Sequence, residues 1–470
     1  MNLLDLSSDN WVKIAENLAS SDKKNLRTVS RMLKQKLDSR KRHLKVRPIG
    51  KRLTKENMES LTRMKTLLQH ADVYFDLSDC DIHMVTSEEL ANIIRDIPVL
   101  TGLDLSFDSL SFNDIEAMRD ANVDWSSLKV LNLRQTFCAA DSTNALSDLL
   151  VSCTSLQNLY LAKIELEERG MRELASALGS SSSLTVLHLE ENRLEDVGAM
   201  VLANELHRLP ALTELNLSEN KIQSAGMQTL ARHLGDCSSL VALNVSNNEI
   251  RDDGATALAQ AVKTHPCIQR LLSKQNELGP DGVQQIAQCT ALTEMHLDEN
   301  YVGDCVGTQE EENLFTDGLV RNNVIKVISM KFTFLVDQGA MKLAAGLQTC
   351  GHLRGLDLEE NQISEIGAQS LAEALQHCSS LVVLKLSRNN LGDLGAMAIA
   401  KAMTNCKVLR YLWLQHNYIH AQAVKNVVHQ MARHPSLRGL HVLRNFDVTP
   451  FMEETLKNDI RQKRKQISLF

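Results

Sequence analysis

The chain has 470 residues and a formal net charge of −7, and it is 43% apolar but only 4% aromatic. An acidic balance argues against nucleic acid as a partner, since that use needs a strongly basic surface, and no apolar run reaches the roughly 20 residues that cross a bilayer. The opening M-N-L-L-D-L lacks the basic and apolar regions of a signal peptide, so we expect a cytoplasmic protein, with the nucleus or a cilium as alternatives.

Residues 1–45 form the first segment. Trp11, Ile14 and Leu18, then Leu26, Val29 and Leu33, recur at helical spacing, with Ser20, Ser21 and Asp22 between them as capping residues. Leu6, Ile14, Leu18, Asp22, Val29, Ser30 and Arg31 fall in a register that resembles an F-box. Ser7, Lys23, Lys24 and Leu33 depart from it. The resemblance implies docking of residues 6–36 onto a cullin adaptor of a ubiquitin ligase. The alternative is a helical cap over the repeats downstream. Residues 46–71 read as a degenerate first repeat and its helix. Leu44, inside the basic run R-K-R-H-L-K-V-R-P-I-G-K, stands 28 residues before Asp72, where regular repeats begin.

From 72 to 448 one sentence recurs. It is clearest as L-T-V-L-H-L-E-E-N-R-L from Leu184, L-T-E-L-N-L-S-E-N-K-I from Leu212 and L-V-A-L-N-V-S-N-N-E-I from Leu240. Apolar residues at positions four and six of this motif lie two apart, so in a strand they share a face. One such unit cannot bury that face alone and must stack on copies of itself. The pattern resembles a leucine-rich repeat. First positions fall at 72, 100, 128, 156, 184, 212, 240, 268, 292, 324, 353, 381, 409 and 437, which gives fourteen repeats with a period of 28 interrupted by intervals of 24, 32 and 29. The 24 and 32 sum to two periods, so one helix is shortened and the next lengthened, around Gly307 to Phe315.

Position nine is asparagine in most repeats, where its amide can satisfy loop backbone. Cys80, Asp108, Thr136 and Ile164 replace it in the first four repeats and Phe332 in the tenth, so a looser N-terminal end is expected. Cys153, Cys237, Cys289, Cys350, Cys378 and Cys406 each precede a repeat by three residues, a spacing that makes them buried helix-end thiols rather than a disulfide framework. Residues 449–470 read as a capping helix opened by Thr449-Pro450, followed by a basic tail.

The longer pattern N-x-L-x-x-x-G-A-x-x-L-A-x-A-L, as in Asn361 to Leu375, resembles the ribonuclease-inhibitor subfamily. That resemblance implies an α/β horseshoe with a parallel sheet on the concave face and helices on the convex face. Its members include enzyme inhibitors, immune-sensor arms, Ran-type GTPase-activating proteins and ciliary scaffolds, so it leaves the partner open.

No catalytic, cofactor or metal site is legible. His429 and His434 are five apart, which does not fit the zinc-protease helix, and His188, His296 and His441 share a motif position through repeat register alone. Function is therefore expected from the surface, with motif positions three, five, seven and eight facing out. Repeats eight to twelve alternate in sign there: Arg270 and Lys274, then Glu294, Asp298 and Glu299, then Lys326 and Lys331, then Asp357, Glu359 and Glu360, then Lys385 and Arg388. Lateral pairing should neutralise them. Two groups stand apart as candidate protein-binding residues. One is acidic, Glu190, Glu191, Glu214 and Glu219 beside Tyr160; the other is Tyr411, Trp413 and His416. The reading is a non-catalytic scaffold that binds a protein on its concave face, with neither nucleic acid nor membrane as partner. The first alternative is a subunit of a ciliary or immune-sensor assembly, and the second a Ran-type activator.

Overall fold

Each motif yields a three- to five-residue strand whose fourth- and sixth-position residues point inward. In the computed structural model Leu187, Leu189, Leu215, Leu217, Leu243 and Val245 have no exposed surface, each worth about 1.5–3 kcal/mol of burial. The structure describes residues 43–46, 72–80, 85–97, 99–108, 110–136, 143–303, 314–463 and 467–469. The F-box-like stretch 6–36, most of the basic run from Arg40, and residues 307–313 lie outside them.

The chain divides into two compact units, Met1–Asn220 with Asp236–Leu240, and Lys221–Gly235 with Val241–Phe470. In the first, strands His43–Val46 (β1), Asp72–Asp76 (β2), Leu100–Asp104 (β3), Val130–Asn132 (β4), Asn158–Tyr160 (β5), Val186–His188 (β6) and Glu214–Asn216 (β7) pair in chain order, all parallel. In the second, the same holds for Ala242–Asn244 (β8), Arg270–Leu272 (β9), Glu294–His296 (β10), Val327–Ser329 (β11), Gly355–Asp357 (β12), Val383–Lys385 (β13), Tyr411–Trp413 (β14), Gly439–His441 (β15) and Ser468–Leu469 (β16). A helix follows nearly every strand and, within each unit, packs on the helix of the preceding repeat. This is a leucine-rich-repeat solenoid.

Three details differ from the sequence reading. The first strand aligns His43 with Asp72 and Leu44 with Val73, one residue from the expected register. In the tenth repeat Val327 aligns with Glu294, so that repeat begins at Ile325, which is buried, and not at Val324, which is 40% exposed. Thr333 therefore holds position nine, Phe332 moves to position eight, and Lys326 leaves the outward set. Third, the basic tail ends in a strand. The Ser468 amide donates to the Arg438 carbonyl at 2.7 Å, and Ile467 and Leu469 are buried, which closes the edge that β15 would otherwise expose.

Position eight reveals a rule the motif does not spell out. In all fourteen repeats that residue, from Asp79 to Arg444, adopts a left-handed backbone with φ between 48° and 63°, although none is glycine. The turn positions the asparagine behind it. The Asn192 amide donates to the carbonyls of Leu161 (2.7 Å) and Leu189 (3.0 Å), and its oxygen accepts the Ile164 amide at 3.0 Å. Asn220 repeats the pattern, donating to Leu189 at 2.8 Å and accepting from Asn192 at 3.0 Å. Helices are tied laterally too. Asp252 accepts the amides of Gly279 and Gly282 at 2.7 and 3.0 Å, so a carboxylate of one helix caps the next.

Where asparagine is missing, less is satisfied. The Thr333 hydroxyl reaches the carbonyl of its own repeat, Met330, at 2.9 Å, and Thr136 reaches Leu133 at 2.6 Å. Asp108 is 3% exposed, and neither carboxyl oxygen has a well-formed hydrogen bond among the described residues. Burial, aided by Asp104, Asp79 and Asp76, pushes its carboxyl up to about 8 against the pull of the nearby Cys80 amide. The folded state thus holds a proton that the unfolded chain releases near pH 4. Stability from this site is complete below pH 4 and is lost as pH rises to about 8. Asp108→Asn should raise stability at pH 7 by about 1–3 kcal/mol and flatten its slope between pH 4 and 8, as urea titrations across that range would measure.

Candidate functional site

On the sheet surface positions three and five carry mostly half-exposed side chains. Position seven is mixed: Glu190 (7% exposed), Asp298 and Ser218 are buried, whereas Lys274 and Lys331 are half-exposed and Arg134 is exposed. Position eight sits in the left-handed turn beyond the strand. Of the four expected outward positions, three therefore share the strand surface, the third of them only in part, and the fourth forms a separate turn edge.

In the second unit part of the alternating set pairs with the next repeat as expected, while Glu299 has no ion pair among the described residues. Lys274 meets Asp298 at 2.7 Å, Lys331 meets Glu360 at 3.1 Å and Lys385 meets Asp357 at 2.8 Å. Burial pushes the Asp298 carboxyl up, yet hydrogen bonds from Lys274, Ser329 and the Lys331 amide hold it below the usual carboxylate range. These residues stabilise the sheet surface and leave little charge for a partner.

In the first unit the acidic group is not the free patch that its composition suggests. Glu191 pairs with Lys163 at 3.1 Å. His188 Nε2 lies 3.0 Å from Glu214, its Nδ1 lies 3.9 Å from Glu190, and Arg134 also approaches Glu190 at 3.9 Å. Arg134 reaches over because Ala162, at position seven of the repeat between, is small and buried. Tyr160 stands edge-on to His188 with ring centroids 5.0 Å apart. Burial, then the Glu214 charge, raises its hydroxyl above the ordinary phenol value. Glu219 is exposed in its turn and has no ion pair among the described residues. Glu190, Glu191 and Glu214 thus belong to an internal polar network that the sequence reading missed by overlooking Arg134 and His188.

The aromatic group is more coherent than its three residues implied. Position five of four successive strands reads Asp357, Lys385, Trp413, His441. Lys385 binds Asp357 and places its ammonium 5.7 Å from the centre of the Trp413 ring. His441 stacks on that indole with centroids 4.6 Å apart and planes 13° apart. Tyr411 leans toward Trp413 at 5.5 Å and lies over Gly439, where a Cβ would fall 2.8 Å from the tyrosine ring. The terminal helix Pro450–Lys463 packs on the helix Ala421–Met431 and on β16. Tyr411 and Trp413 remain half-exposed, while His416 sits exposed in the turn with φ 54° and is set apart from the strand pair. Lys385 and His441 are the members that single-residue reading missed; the shared motif position would have identified both.

Five stretches, 180–203, 209–231, 236–259, 349–372 and 377–400, match a family model described as Leucine Rich repeat. No curated protein matches in sequence. Among solved structures the chain is similar to a leucine-rich-repeat protein of Leptospira interrogans, with a TM-score of 0.50 and 16% identity over 89% of this chain and 93% of that one. It is also similar to an internalin of Listeria monocytogenes (0.44, 17%, over 87% and 93%) and to TLR13 in its ssRNA13 complex (0.44, 17%, over 91% and 64%). Among the described residues no helix is long and apolar enough to cross a membrane.

Burial holds His441 below the ordinary imidazole value. Its contribution is therefore present above about pH 6.5 and is lost as pH falls through the lower folded value. Acidification from pH 7 to 5 should quench Trp413 emission as the stacked ring becomes imidazolium. The difference titration against His441→Gln isolates that step, and identical titrations would contradict the stacking.

Proposed function

We propose that the chain is a non-catalytic scaffold that holds a protein partner on its sheet surface, anchored at Tyr411 and Trp413. The supporting observation is the row Asp357–Lys385–Trp413–His441, in which an indole is oriented by neighbours on both sides while staying open to solvent. Pre-ordered aromatic residues of this kind concentrate binding energy, because little side-chain freedom remains to be lost on association. The 28-residue period and the helix in nearly every repeat support the ribonuclease-inhibitor-like reading. The histidines at position five are accounted for structurally: His188 by Glu214, His441 by Trp413, and His296 by burial that keeps it neutral. That supports a non-catalytic role.

The adaptor role is the finer part of this proposal. In it residues 6–36 dock a cullin adaptor while the repeats hold the protein to be modified. A pull-down with the full chain and with residues 1–45 removed tests it, since recovery of a cullin adaptor by the full chain alone is required.

Trp413→Ala should cost about 1–2 kcal/mol of stability through the lost stacking and cation contact, and about 2 kcal/mol or more of binding. Thermal unfolding and affinity for a captured partner measure the two separately. Unchanged affinity with lowered stability would place the partner elsewhere.

A further inference from the structure

In repeats four to eight the turn edge, positions eight and ten, is polar or charged, from Lys163 and Glu165 to Gln275 and Glu277. In repeats nine and ten it turns aromatic. Tyr301 is 60% exposed, Phe332 44% and Phe334 39%. Tyr301 stacks on Phe334 with centroids 6.0 Å apart, and Phe332 lies 5.3 Å from Phe334.

Folding does not account for these rings. They pack on one another with much of each ring still exposed, and Phe332 and Phe334 occupy left-handed backbone, φ 52° and 60°, which bulky residues enter at a cost. The same positions accept Lys163, Glu191 or Glu277 in other repeats, so the repeat fixes the conformation and leaves the residue type free.

Charge indicates what the rings would take. Glu299, exposed and without an ion pair among the described residues, adjoins Phe332, its amide donating to the Lys331 carbonyl at 2.8 Å. On its other side Tyr301 walls a depression of about 290 Å³ that Glu249, Glu277 and Glu299 also line, with Lys221 as cation. Arg251 neutralises Glu277 at 2.9 Å, while Glu249 accepts the Gln223 side-chain amide at 3.1 Å. Ring faces and carboxylates both attract cations.

We propose that the turn edge of repeats seven to ten binds a basic segment of a protein partner. An arginine or lysine side chain lies on the rings of Tyr301, Phe332 and Phe334 and directs its charge to Glu299. This surface is separate from the sheet surface at Trp413 and stands independently of it.

Fluorescence anisotropy with a labelled tetra-arginine peptide, and a tetra-glutamate peptide as control, tests this on the full chain. Four proteins are compared: the unaltered chain, Phe332→Ser with Phe334→Ser, Glu299→Lys, and Glu454→Lys, an exposed charge change on the terminal helix of the same unit. The arginine peptide should bind and the glutamate peptide should not. Both turn-edge variants should weaken binding about tenfold at unchanged melting temperature, and Glu454→Lys by no more than about twofold. No binding of the arginine peptide would overturn the proposal, as would undiminished binding in the phenylalanine variant. An equal loss in Glu454→Lys would reduce the effect to net charge and overturn it too. So would a fall in melting temperature of the phenylalanine variant with unchanged affinity, which would make the rings structural.

Discussion

The side-chain amide of the position-nine asparagine is the interaction on which the rest depends. A three-residue strand followed by a tight turn leaves carbonyls and amides pointing inward, away from water, where each unpaired group costs about 1–3 kcal/mol. Asn276 shows the solution in full. It is completely buried, donates to the Val245 carbonyl of the preceding repeat at 3.0 Å, and accepts the Asn248 amide at 3.1 Å. The next asparagine, Asn300, accepts the Asn276 amide at 2.9 Å. Each repeat thus satisfies its predecessor, and local folding becomes coupled to stacking. The left-handed residue before each asparagine is the conformational cost of aiming the amide inward.

This coupling explains which side chains are available for recognition. Because position nine is pulled into the core, positions three and five remain on the strand surface, position seven is drawn in at some repeats, as at Glu190, and position eight is turned onto an edge. Charges at those sites mostly pair with the next strand, as Lys385 does with Asp357. Aromatic rings are among what remains open: Tyr411 and Trp413 on the sheet surface, and Phe107, Tyr301, Phe332, Phe334, Tyr418 and Phe446 at turn positions.

Much of this was legible in the sequence. Leu187, Leu189, Leu215 and Leu217 are buried where period two requires, and the six helix-end cysteines are buried as their spacing implies. Burial also pushes the Cys153, Cys237, Cys289 and Cys378 thiols up to about 12. Errors arose where the repeat lacks its asparagine. With Thr333 in that position, Phe332 looked like the position-nine residue of a repeat begun one residue early, which hid an exposed ring. Lateral reach was equally invisible: the Arg134 contact with Glu190 skips a whole repeat, and no single motif encodes it. The strand at Ser468 escaped notice because two residues carry no periodicity.

The central claim is that the asparagine ladder, more than the apolar core alone, sets the coupling between successive repeats. Asn276→Ala, followed by denaturant titration and native-state hydrogen exchange, tests it most directly. The account requires a loss of about 1–3 kcal/mol with protection lost first at the Asn248 amide, whose bond to the Asn276 side chain is removed, and at its neighbours in repeats seven and eight. Unchanged stability, or a loss of protection spread evenly along the second unit, would contradict it.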